Sequence, residues 1–278
     1  MTLIVHDKIE QRSEEWFEQR RGIVTASVVG QLVTQRRLTG MDYECPKCEA
    51  APGDQCWNVK RTDTIKTPHP ERSAFAKTQP SSTVIEPASN TASHDLTMRL
   101  AGERINGWCE ENTYMSDAMY RGVIEEPLAR DKYSEHYAPV REVGFITEDK
   151  WGFTIGYSPD GLVGDDGLIE VKSRSPKNHI ETVLADTIPA ENMAQLQCGL
   201  LVTGREWIDY ISYSGGMKMW PKRVYPDPEW HKAILAAVRK FEDNAYEIGR
   251  TYLDSTEHLP ATSRTFYVFT PDVELEAS

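Results

Sequence analysis

The chain has 278 residues, of which 39% are hydrophobic and 27% are charged, a composition that suits one large globular domain or two modest ones. Its 31 basic and 43 acidic residues give a formal net charge of −12, which is the wrong sign for binding duplex DNA by bulk electrostatics. No stretch approaches the roughly 18 uninterrupted apolar residues of a membrane span, and no secretion signal opens the chain, so the sequence predicts a soluble, cytoplasmic protein without a membrane partner.

The first forty residues predict two short helices. Ser13 is a candidate N-cap for the first helix, which should end near Gly22. The second helix is predicted to begin at Thr25 and to run through Val33. Residues 41–90 combine prolines, three cysteines and a Ser/Thr-rich tail, so we predict an inserted small module and a linker there. The predicted limits are 1–40 and 91–278 for the main domain and 41–90 for the insertion.

Helices and strands are mixed over the rest of the chain. Hydrophobic periodicity predicts helices over residues 91–109, 116–136, 189–203 and 228–248. Strands are predicted over residues 144–173, 207–213 and 223–225, with turns at 158–161 and 164–167. This order indicates an α/β fold in which a central mixed sheet is flanked by helices.

Acidic and basic side chains converge in the strand segment 156–172. Asp160 lies in a Pro-Asp-Gly turn, while Glu170 and Lys172 are two residues apart in the next strand and so point to the same face. Two carboxylates at a strand end make a hard oxygen site for Mg²⁺ or Mn²⁺, to which the Val171 carbonyl would add a ligand. A lysine beside such a cation can orient or help deprotonate an attacking water, so this set predicts phosphodiester hydrolysis.

A plainer interpretation of the same segment is a turn followed by a solvated Glu–Lys pair. The apolar residues beside Glu170 argue against it, because an unpaired Glu and Lys would be costly in a buried strand. We therefore expect a functional site here.

The cysteines between residues 45 and 56 predict a metal site. Cys45 and Cys48 are separated by two residues, and Cys56 and His69 complete a four-ligand set of the structural zinc type. A segment of about 50 residues with few large apolar groups could hardly fold without such a clip.

Two other interpretations of the cysteines stay open. An iron–sulfur cluster would need Cys109 or Cys198, both distant in sequence, as its fourth ligand. Alternatively, the thiols hold no metal.

The insertion also carries basic side chains with Trp57 among them. They would grip DNA through phosphate contacts and base stacking, or they form the solvated face of a stabilising module, and the sequence favours neither. The basic residues are Lys47, Lys60, Arg61, Lys66 and Arg72.

Five segments carry motifs that occur together, in this order, in one family: residues 15–27, 126–130, 158–161, 170–172 and 189–197. They resemble the lambda exonuclease family, also called the YqaJ-like viral recombinases. The Asp, then Glu-x-Lys pattern is that of the restriction-endonuclease-like PD-(D/E)XK nuclease superfamily. The resemblance covers nearly the whole chain outside the insertion, and it implies a restriction-endonuclease-like core.

The resemblance implies roles for the residues of the hydrolytic site. Asp160, Glu170 and the Val171 carbonyl would bind the catalytic metal, and Glu126 would complete that site from its helix. Lys172 would act on the nucleophilic water. The remaining catalytic position is Gln195, which would orient that lysine or the water.

The resemblance also implies a pocket for the 5′-phosphate of the recessed strand. Arg20 and Ser27 match this pocket, and Ser158 lies beside it. A phosphate at the start of the helix after Thr25 is reasonable, since free N–H groups and the helix dipole point there and Arg20 can pair with it bidentately.

Several of these residues have plainer interpretations. Glu126 precedes an arginine by four residues, a pair that stabilises a helix surface by itself. Ser27 would be only a serine at a helix start, and Gln195 an ordinary helical amide. Trp16 and Tyr133 are interpreted as core residues.

The combined prediction is a metal-dependent exonuclease that degrades one strand of linear duplex DNA from the 5′ end and leaves 3′ overhangs. The resemblance further implies a ring-shaped homotrimer, a single-strand annealing protein as partner and, if the chain is encoded by a phage, a location in the host cytoplasm. The rivals are an endonuclease on the same fold and a non-catalytic DNA-binding or assembly protein. The end-phosphate pocket argues against the first, and the intact hydrolytic set argues against the second.

Overall fold

The structure, a computed structural model, describes residues 3–80, 82–109 and 116–263. The helices in these ranges are α1 Glu14–Arg20, α2 Ala26–Val29, α3 Pro70–Thr78, α4 Thr91–Asn106, α5 Asp117–His136, α6 Pro176–Ala185, α7 Ala190–Thr203 and α8 Pro228–Thr256. The strands are β1 Ile4–His6, β2 Val24–Thr25, β3 Val33–Arg37, β4 Cys56–Trp57, β5 Thr64–Ile65, β6 Thr83–Pro87, β7 Val140–Arg141, β8 Phe145–Glu148, β9 Ile155–Tyr157, β10 Gly161–Val163, β11 Gly167–Ser173, β12 Trp207–Tyr213 and β13 Trp220–Val224. None of the helices described is long and apolar enough to cross a membrane.

A five-stranded mixed sheet, in the order β13-β12-β11-β10-β7, carries the predicted hydrolytic residues. β11 and β12 run parallel over all seven residues of each, and the other neighbours are antiparallel. The parallel pair needs a long crossover, which α6 and α7 provide. β11 is buried from its start through Val171, as expected for an apolar run with a strand on each side.

A four-stranded sheet, in the order β1-β8-β9-β2, brings the N-terminal residues to the hydrolytic segment. β2 runs parallel to β9, and both strands are buried. β9 ends at Tyr157, three residues before Asp160. This pairing therefore places the residues that follow α1 beside the turn that precedes β10.

The main apolar core joins both sheets to the helices α4, α7 and α8. α8 is amphipathic, and Ile234, Val238, Phe241 and Ala245 recur on one face at helical spacing and are buried. Burying each large apolar side chain contributes about 1.5–3 kcal/mol, so this stripe fixes α8 against the rest of the domain.

Residues 41–80 lie outside that core and form a small module. β3 and β6 pair antiparallel at its base, from Val33–Pro87 to Arg37–Thr83. The module itself contains the β4–β5 hairpin and the helix α3. Its own apolar cluster is only Cys45, Cys48, Ala50 and Cys56 with Ile65 against them.

The predicted fold class is confirmed, because mixed sheets are flanked by helices and a small cysteine-bearing module is inserted. The predicted second helix was wrong in extent: α2 ends at Val29, and Val33 begins β3. Valines and leucines suit either structure, and pairing with β6, inside the predicted linker, decided for a strand. The sequence analysis also missed α6. The domain limits at 1–40, 41–90 and 91–278 stay a prediction.

Candidate active site and metal centre

Asp160 lies at the edge of β11 that β10 leaves open. Pairing of β10 with β11 stops at Gly161–Ile169, and the Oδ2 of Asp160 accepts a hydrogen bond of 2.6 Å from the Val171 N–H. The N–H and C=O of one strand residue point to the same edge, so the Val171 carbonyl lies on the edge that Asp160 occupies. Asp160 is only 9% exposed.

Glu170 is the centre of a network of four polar side chains. It is 2% exposed, and its Oε1 accepts hydrogen bonds from the Lys172 Nζ, at 2.8 Å, and from the Gln195 Nε2. Its Oε2 accepts one from the Tyr157 hydroxyl at 3.2 Å. The Lys172 Nζ also donates to the Gln195 Oε1 at 2.9 Å. Gln195 from α7 therefore holds both charged groups of β11 in place.

Tyr157 belongs to this network, although no role was predicted for it from the sequence. It ends β9 and is 1% exposed, so its hydroxyl had to find a partner inside the protein. A buried aromatic residue with a polar tip, next to a predicted site, was the signal that could have indicated this contact.

Burial and the neighbouring carboxylates disfavour negative charge on the acidic residues of the site. Burial, and then the charges of Glu170 and Glu126, raise the pKa of Asp160 well above its usual value. Burial also raises the pKa of Glu126. Burial alone would lower the pKa of Lys172, but the neighbouring Glu170 and Asp160 charges outweigh it and raise that pKa. Lys172 is therefore a hydrogen-bond donor at neutral pH.

These residues fit a divalent cation by the chemistry of their oxygens. Asp160, Glu170 and the Val171 carbonyl offer hard oxygen donors at one strand edge, and the raised pKa of Asp160 reflects negative charge that a cation would offset. Across the ranges described, however, these carboxylates and Glu126 do not form a group whose ligand atoms all lie within 4.8 Å of one another.

Glu126 reaches the site through Arg130. Arg130 donates a 2.7 Å hydrogen bond to the Asp160 carbonyl, and its guanidinium lies 3.6 Å from Glu126 and 3.3 Å from Glu142. The plainer interpretation of the helical pair is confirmed, because Glu126 balances Arg130, while its role as a metal ligand stays a prediction.

Arg20 lies in a pocket of hydroxyl groups. Its Nη1 donates to the Ser158 Oγ at 3.3 Å, and its Nη2 donates to Thr25 at 3.3 Å and to Ser27 at 3.1 Å. In the part of the chain that the structure describes, no carboxylate forms an ion pair with Arg20. Burial lowers the pKa of Arg20 to about 10, so it is still cationic at neutral pH. A half-buried cation whose described hydrogen-bond partners are all neutral suits an anionic ligand.

Trp16 belongs to this pocket, so its interpretation as a core residue was wrong. The Arg20 guanidinium lies 4.0 Å from the centre of the Trp16 ring, and the indole N–H donates to Ser158 at 2.9 Å. Thr25, which the sequence analysis used only to mark a helix start, is a direct partner of Arg20. The expectation that a helix start after Thr25 would help to bind the phosphate was also wrong, because α2 has only four residues. The hydroxyl groups supply the polar contacts instead.

Tyr133 is a core residue, as interpreted from the sequence. It is 1% exposed, and its hydroxyl donates a 2.6 Å hydrogen bond to the buried Asp209. Arg223 pairs with the same carboxylate at 2.8 Å and stacks on Trp207. This network fastens α5 to β12 and β13.

The four predicted zinc ligands come together in the module. The ligand atoms of Cys45, Cys48, Cys56 and His69 all lie within 4.8 Å of one another, and all four residues are buried. Three thiols and one imidazole at this spacing fit the tetrahedral site of a structural Zn²⁺.

The two remaining cysteines lie elsewhere. Cys198 is fully buried in the main core, and Cys109 follows α4. Neither joins the ligand group, so the structure gives no fourth thiolate for an iron–sulfur cluster.

Arg72 was wrongly considered as a DNA contact. It is fully buried and donates to the backbone carbonyls of Tyr43, Asp54, Ala51 and Met41 at 2.6 to 3.3 Å. Its Nη1 also lies 3.5 Å from the Cys56 sulfur. It therefore holds the loops that carry the metal ligands.

The other basic residues of the module divide into two groups. Lys47 pairs with Glu71, and Arg61 pairs with Glu49. Lys60 and Lys66 are exposed and form no ion pair with any described residue. Trp57 is 40% exposed and Val59 is 93% exposed, so the β4–β5 hairpin presents apolar and basic groups together.

Two family models match parts of the chain. Residues 77–206 match the YqaJ-like viral recombinase domain, and residues 11–87 match the "Putative DNA-binding phage zinc finger domain". The first range contains the hydrolytic residues, and the second contains Arg20 and the metal ligands. The resemblance drawn from the sequence motifs is thereby confirmed. None of the curated proteins compared with the chain matches it.

Two solved structures of one exonuclease share the fold. The alkaline exonuclease LHK-Exo from Laribacter hongkongensis is 25% identical, with a TM-score of 0.64 over 89% of this chain and 100% of that one. Its complex with dAMP matches with the same values. A phage-related exonuclease from Haemophilus somnus 129PT is 12% identical, with a TM-score of 0.44 over 60% of this chain and 91% of that one.

Proposed function

We propose that this chain, which carries a match to the YqaJ-like viral recombinase domain, is a phage-type DNA exonuclease that removes nucleotides from 5′-phosphorylated duplex ends. One observation carries the proposal: a buried set of carboxylates and a lysine lies two residues along the chain from an arginine pocket that suits a phosphate. Ser158 contacts Arg20, and Asp160 contacts β11. The Cα atoms of Ser158 and Asp160 are therefore at most about 7 Å apart, so the pocket and the hydrolytic set are neighbours.

The pocket around Arg20 would set the polarity of the reaction. A terminal phosphate can accept two charge-assisted hydrogen bonds from the guanidinium and further ones from Ser27 and Ser158. An internal phosphodiester has fewer free oxygens and is bulkier, so the pocket favours an end. Cleavage of the next phosphodiester would release a 5′-nucleotide and, when repeated, leave a 3′ overhang.

Lys172, Gln195 and Tyr157 would organise the hydrolytic step around Glu170. A divalent cation bound by Asp160, Glu170 and the Val171 carbonyl would lower the pKa of an attacking water and offset the charge on the phosphodiester. Because Lys172 is cationic, it donates a hydrogen bond to the water or to the developing charge and does not act as the base. Gln195 holds Lys172 and Glu170 in the productive orientation.

The Cys₃His module would bind structural Zn²⁺ and contact DNA. Support comes from the four buried ligands, the match to a phage zinc finger domain and the exposed hairpin with Trp57, Lys60 and Lys66. By resemblance, we also propose a homo-oligomer, a trimeric ring, and a single-strand annealing protein as partner.

An endonuclease on the same fold is the second candidate. The half-buried Arg20, with no carboxylate partner in the described ranges, argues against it, because an enzyme that cuts inside a duplex has no need for an end-phosphate pocket. A protein with a vestigial site would be expected to lose hydrogen bonds within the hydrolytic set. The described contacts of Glu170 with Lys172 and Gln195 are complete.

Digestion of a linear duplex labelled at one 3′ end tests the proposal. Matched substrates would carry 5′-phosphate or 5′-hydroxyl, with Mg²⁺ or EDTA, and closed circular DNA would serve as the endonuclease substrate. We expect Mg²⁺-dependent release of 5′-nucleotides, faster from phosphorylated ends and abolished by Lys172→Ala. Lys177→Ala, an exposed lysine on α6, is the matched control. Cuts in circular DNA, or no hydrolysis by folded wild type, would contradict the proposal.

A further inference from the structure

The turn between α1 and β2 is held from outside by two neighbouring residues of α4. Glu103 accepts a 2.8 Å hydrogen bond from the Gly22 N–H, and the Arg104 Nε donates a 2.6 Å hydrogen bond to the Gly22 carbonyl. Both backbone polar groups of one residue are thus bound by side chains. Gly22 adopts φ +65°, and a Cβ there would lie 2.5 Å from the Arg104 Cγ, so the turn accepts only glycine without rearrangement.

Both clamping side chains are themselves anchored. Glu103 is 3% exposed, and its second carboxylate oxygen accepts a 2.9 Å hydrogen bond from Arg99. The Arg104 guanidinium makes a bidentate ion pair with Glu242 on α8, at 2.7 and 2.8 Å. α8 is fixed by the main core, so the turn is tied to a helix that packs against that core.

The clamped turn lies between the two halves of the Arg20 pocket. Arg20 is two residues before Gly22, while Thr25 and Ser27 are three and five residues after it. Among the described contacts, Arg20 is held there by neutral hydroxyls at 3.1 to 3.3 Å and by the rings of Trp16 and Phe145. Such contacts are weak, so the backbone of the turn sets the distance between the guanidinium and the hydroxyls.

Glu103 also supplies negative charge without occupying the pocket. Burial lowers the pKa of Arg20; the charges of Cys109 and Glu103 raise it, and the charge of Arg99, which pairs with Glu103, lowers it. No hydrogen bond joins the two side chains in the described contacts, so the guanidinium keeps its donors for a ligand.

We propose that Glu103, with Arg104 and Glu242, is a positioning element for recognition of the terminal phosphate, acting through the Gly22 turn. This inference rests on the proposed function, since it assigns residues that support the end-phosphate pocket. A structural role alone would lower stability and would affect phosphorylated and unphosphorylated ends equally. A positioning role affects the phosphorylated ends more.

Steady-state hydrolysis of 5′-phosphoryl and 5′-hydroxyl duplexes by Glu103→Ala and Glu103→Gln separates these roles. Glu103→Ala leaves the buried Gly22 N–H without its acceptor, and the free energy of that loss is about equal to a tenfold change in binding. We therefore expect Glu103→Ala to raise KM for phosphorylated ends about tenfold and to change kcat less. The preference for phosphorylated ends should shrink by the same factor. Glu103→Gln keeps an acceptor oxygen and should largely restore the preference. Arg250→Ala, which removes an exposed ion pair of α8, is the control.

Each outcome bears on a different statement. If the wild type prefers phosphorylated ends and a folded Glu103→Ala variant keeps that preference, the positioning role is overturned. The proposed function then stays intact. If the wild type hydrolyses phosphorylated and unphosphorylated ends equally, the proposed end-phosphate pocket is contradicted, and the positioning role is contradicted with it. If Glu103→Ala does not fold, Glu242→Ala removes only the outer anchor and should shift KM in the same direction by a smaller factor. An unchanged KM there overturns the inference.

Discussion

The charge balance of the site depends on the carboxyl group of Asp160. It is buried beside Glu170 and Glu126, and burial is the main reason that its pKa is raised. Without a bound cation, the protonated form therefore persists to a higher pH than in an ordinary aspartate. A cation must displace that proton, so metal binding and ionisation of Asp160 are linked.

This linkage predicts that Mg²⁺ binds more weakly as the pH falls through the raised pKa of Asp160. The stability of the fold changes with pH in the opposite direction when no cation is bound. An acid whose pKa is raised by folding stabilises the fold below its unfolded pKa, and this contribution is lost as the pH rises through its folded pKa. Titration calorimetry and thermal unfolding at several pH values, with and without Mg²⁺, measure both. Asp160→Asn should weaken both dependences, leaving the part that Glu126 contributes, and Asp243→Asn, an exposed acid of α8, should change neither.

Arg72 shows how a buried charge supports a metal site. Its guanidinium is fully buried, and no described carboxylate pairs with it. A buried charge without an opposite charge is costly. The thiolates of a metal-bound cluster supply the opposite charge, and the Cys56 sulfur is 3.5 Å away.

We predict that Arg72→Met destabilises the module by about 3 kcal/mol or more, because four carbonyls lose their donor and the cluster loses its counterion. Zinc affinity measured by competition with a chelator should fall together with stability. Lys77→Ala, an exposed residue of the same helix, is the matched control. Equal zinc affinity in wild type and Arg72→Met would contradict the counterion role.

At the scale of elements, β11 and α7 act together as the support of the hydrolytic set. β11 presents Glu170 and Lys172 on one face, and α7 brings Gln195 over them. α7 can lie this close because Gly199 faces Tyr157: a Cβ at Gly199 would be 2.8 Å from the Tyr157 ring. The position of Tyr157, and through it that of Glu170, therefore depends on helix packing.

The β4–β5 hairpin is the element that would carry DNA contacts of the module. It is fixed at its base, where Cys56 is one of the four predicted zinc ligands and the Trp57 N–H donates to the Cys48 sulfur at 3.4 Å. Its tip therefore presents Trp57 and Lys60 rigidly. Aromatic stacking on a base contributes about 1–3 kcal/mol, and each phosphate contact makes binding more sensitive to salt.

We predict that Trp57→Ala weakens binding of single-stranded DNA by about tenfold, with little change at the nuclease site. Lys60→Ala together with Lys66→Ala should lower the salt dependence of the affinity. Phe75→Ala, an exposed aromatic residue of α3, tests whether any aromatic loss has this effect. Fluorescence anisotropy gives the affinities, and identical values for Trp57→Ala and wild type would exclude the hairpin as a contact.

The whole molecule has two separate cores of very different size. None of the described residues 41–80 belongs to the main apolar cluster, and the module cluster holds three cysteines and one alanine. So small a cluster cannot offset the chain entropy of about 40 residues, so we expect metal binding to supply most of the module's stability.

We therefore predict that removal of zinc by a zinc-selective chelator unfolds residues 41–80 and leaves the nuclease core folded. Limited proteolysis should then cut within this segment, while the main thermal transition changes little. The β3–β6 ladder should mark the boundary of the protected region. A single cooperative loss of all structure on chelation would contradict the independence of the two cores.

The sequence by itself determined the hydrolytic strand, the zinc ligands and most helices, since each depends on local spacing: alternation along β11, the Cys-x-x-Cys pair and the apolar period of α8. Only the tertiary structure decided which residues support them. Gly22 is bound by Glu103, Arg20 by Ser158, and Glu170 by Tyr157. Such pairs join residues far apart in sequence, and whether a polar side chain meets a partner depends on how sheets and helices pack.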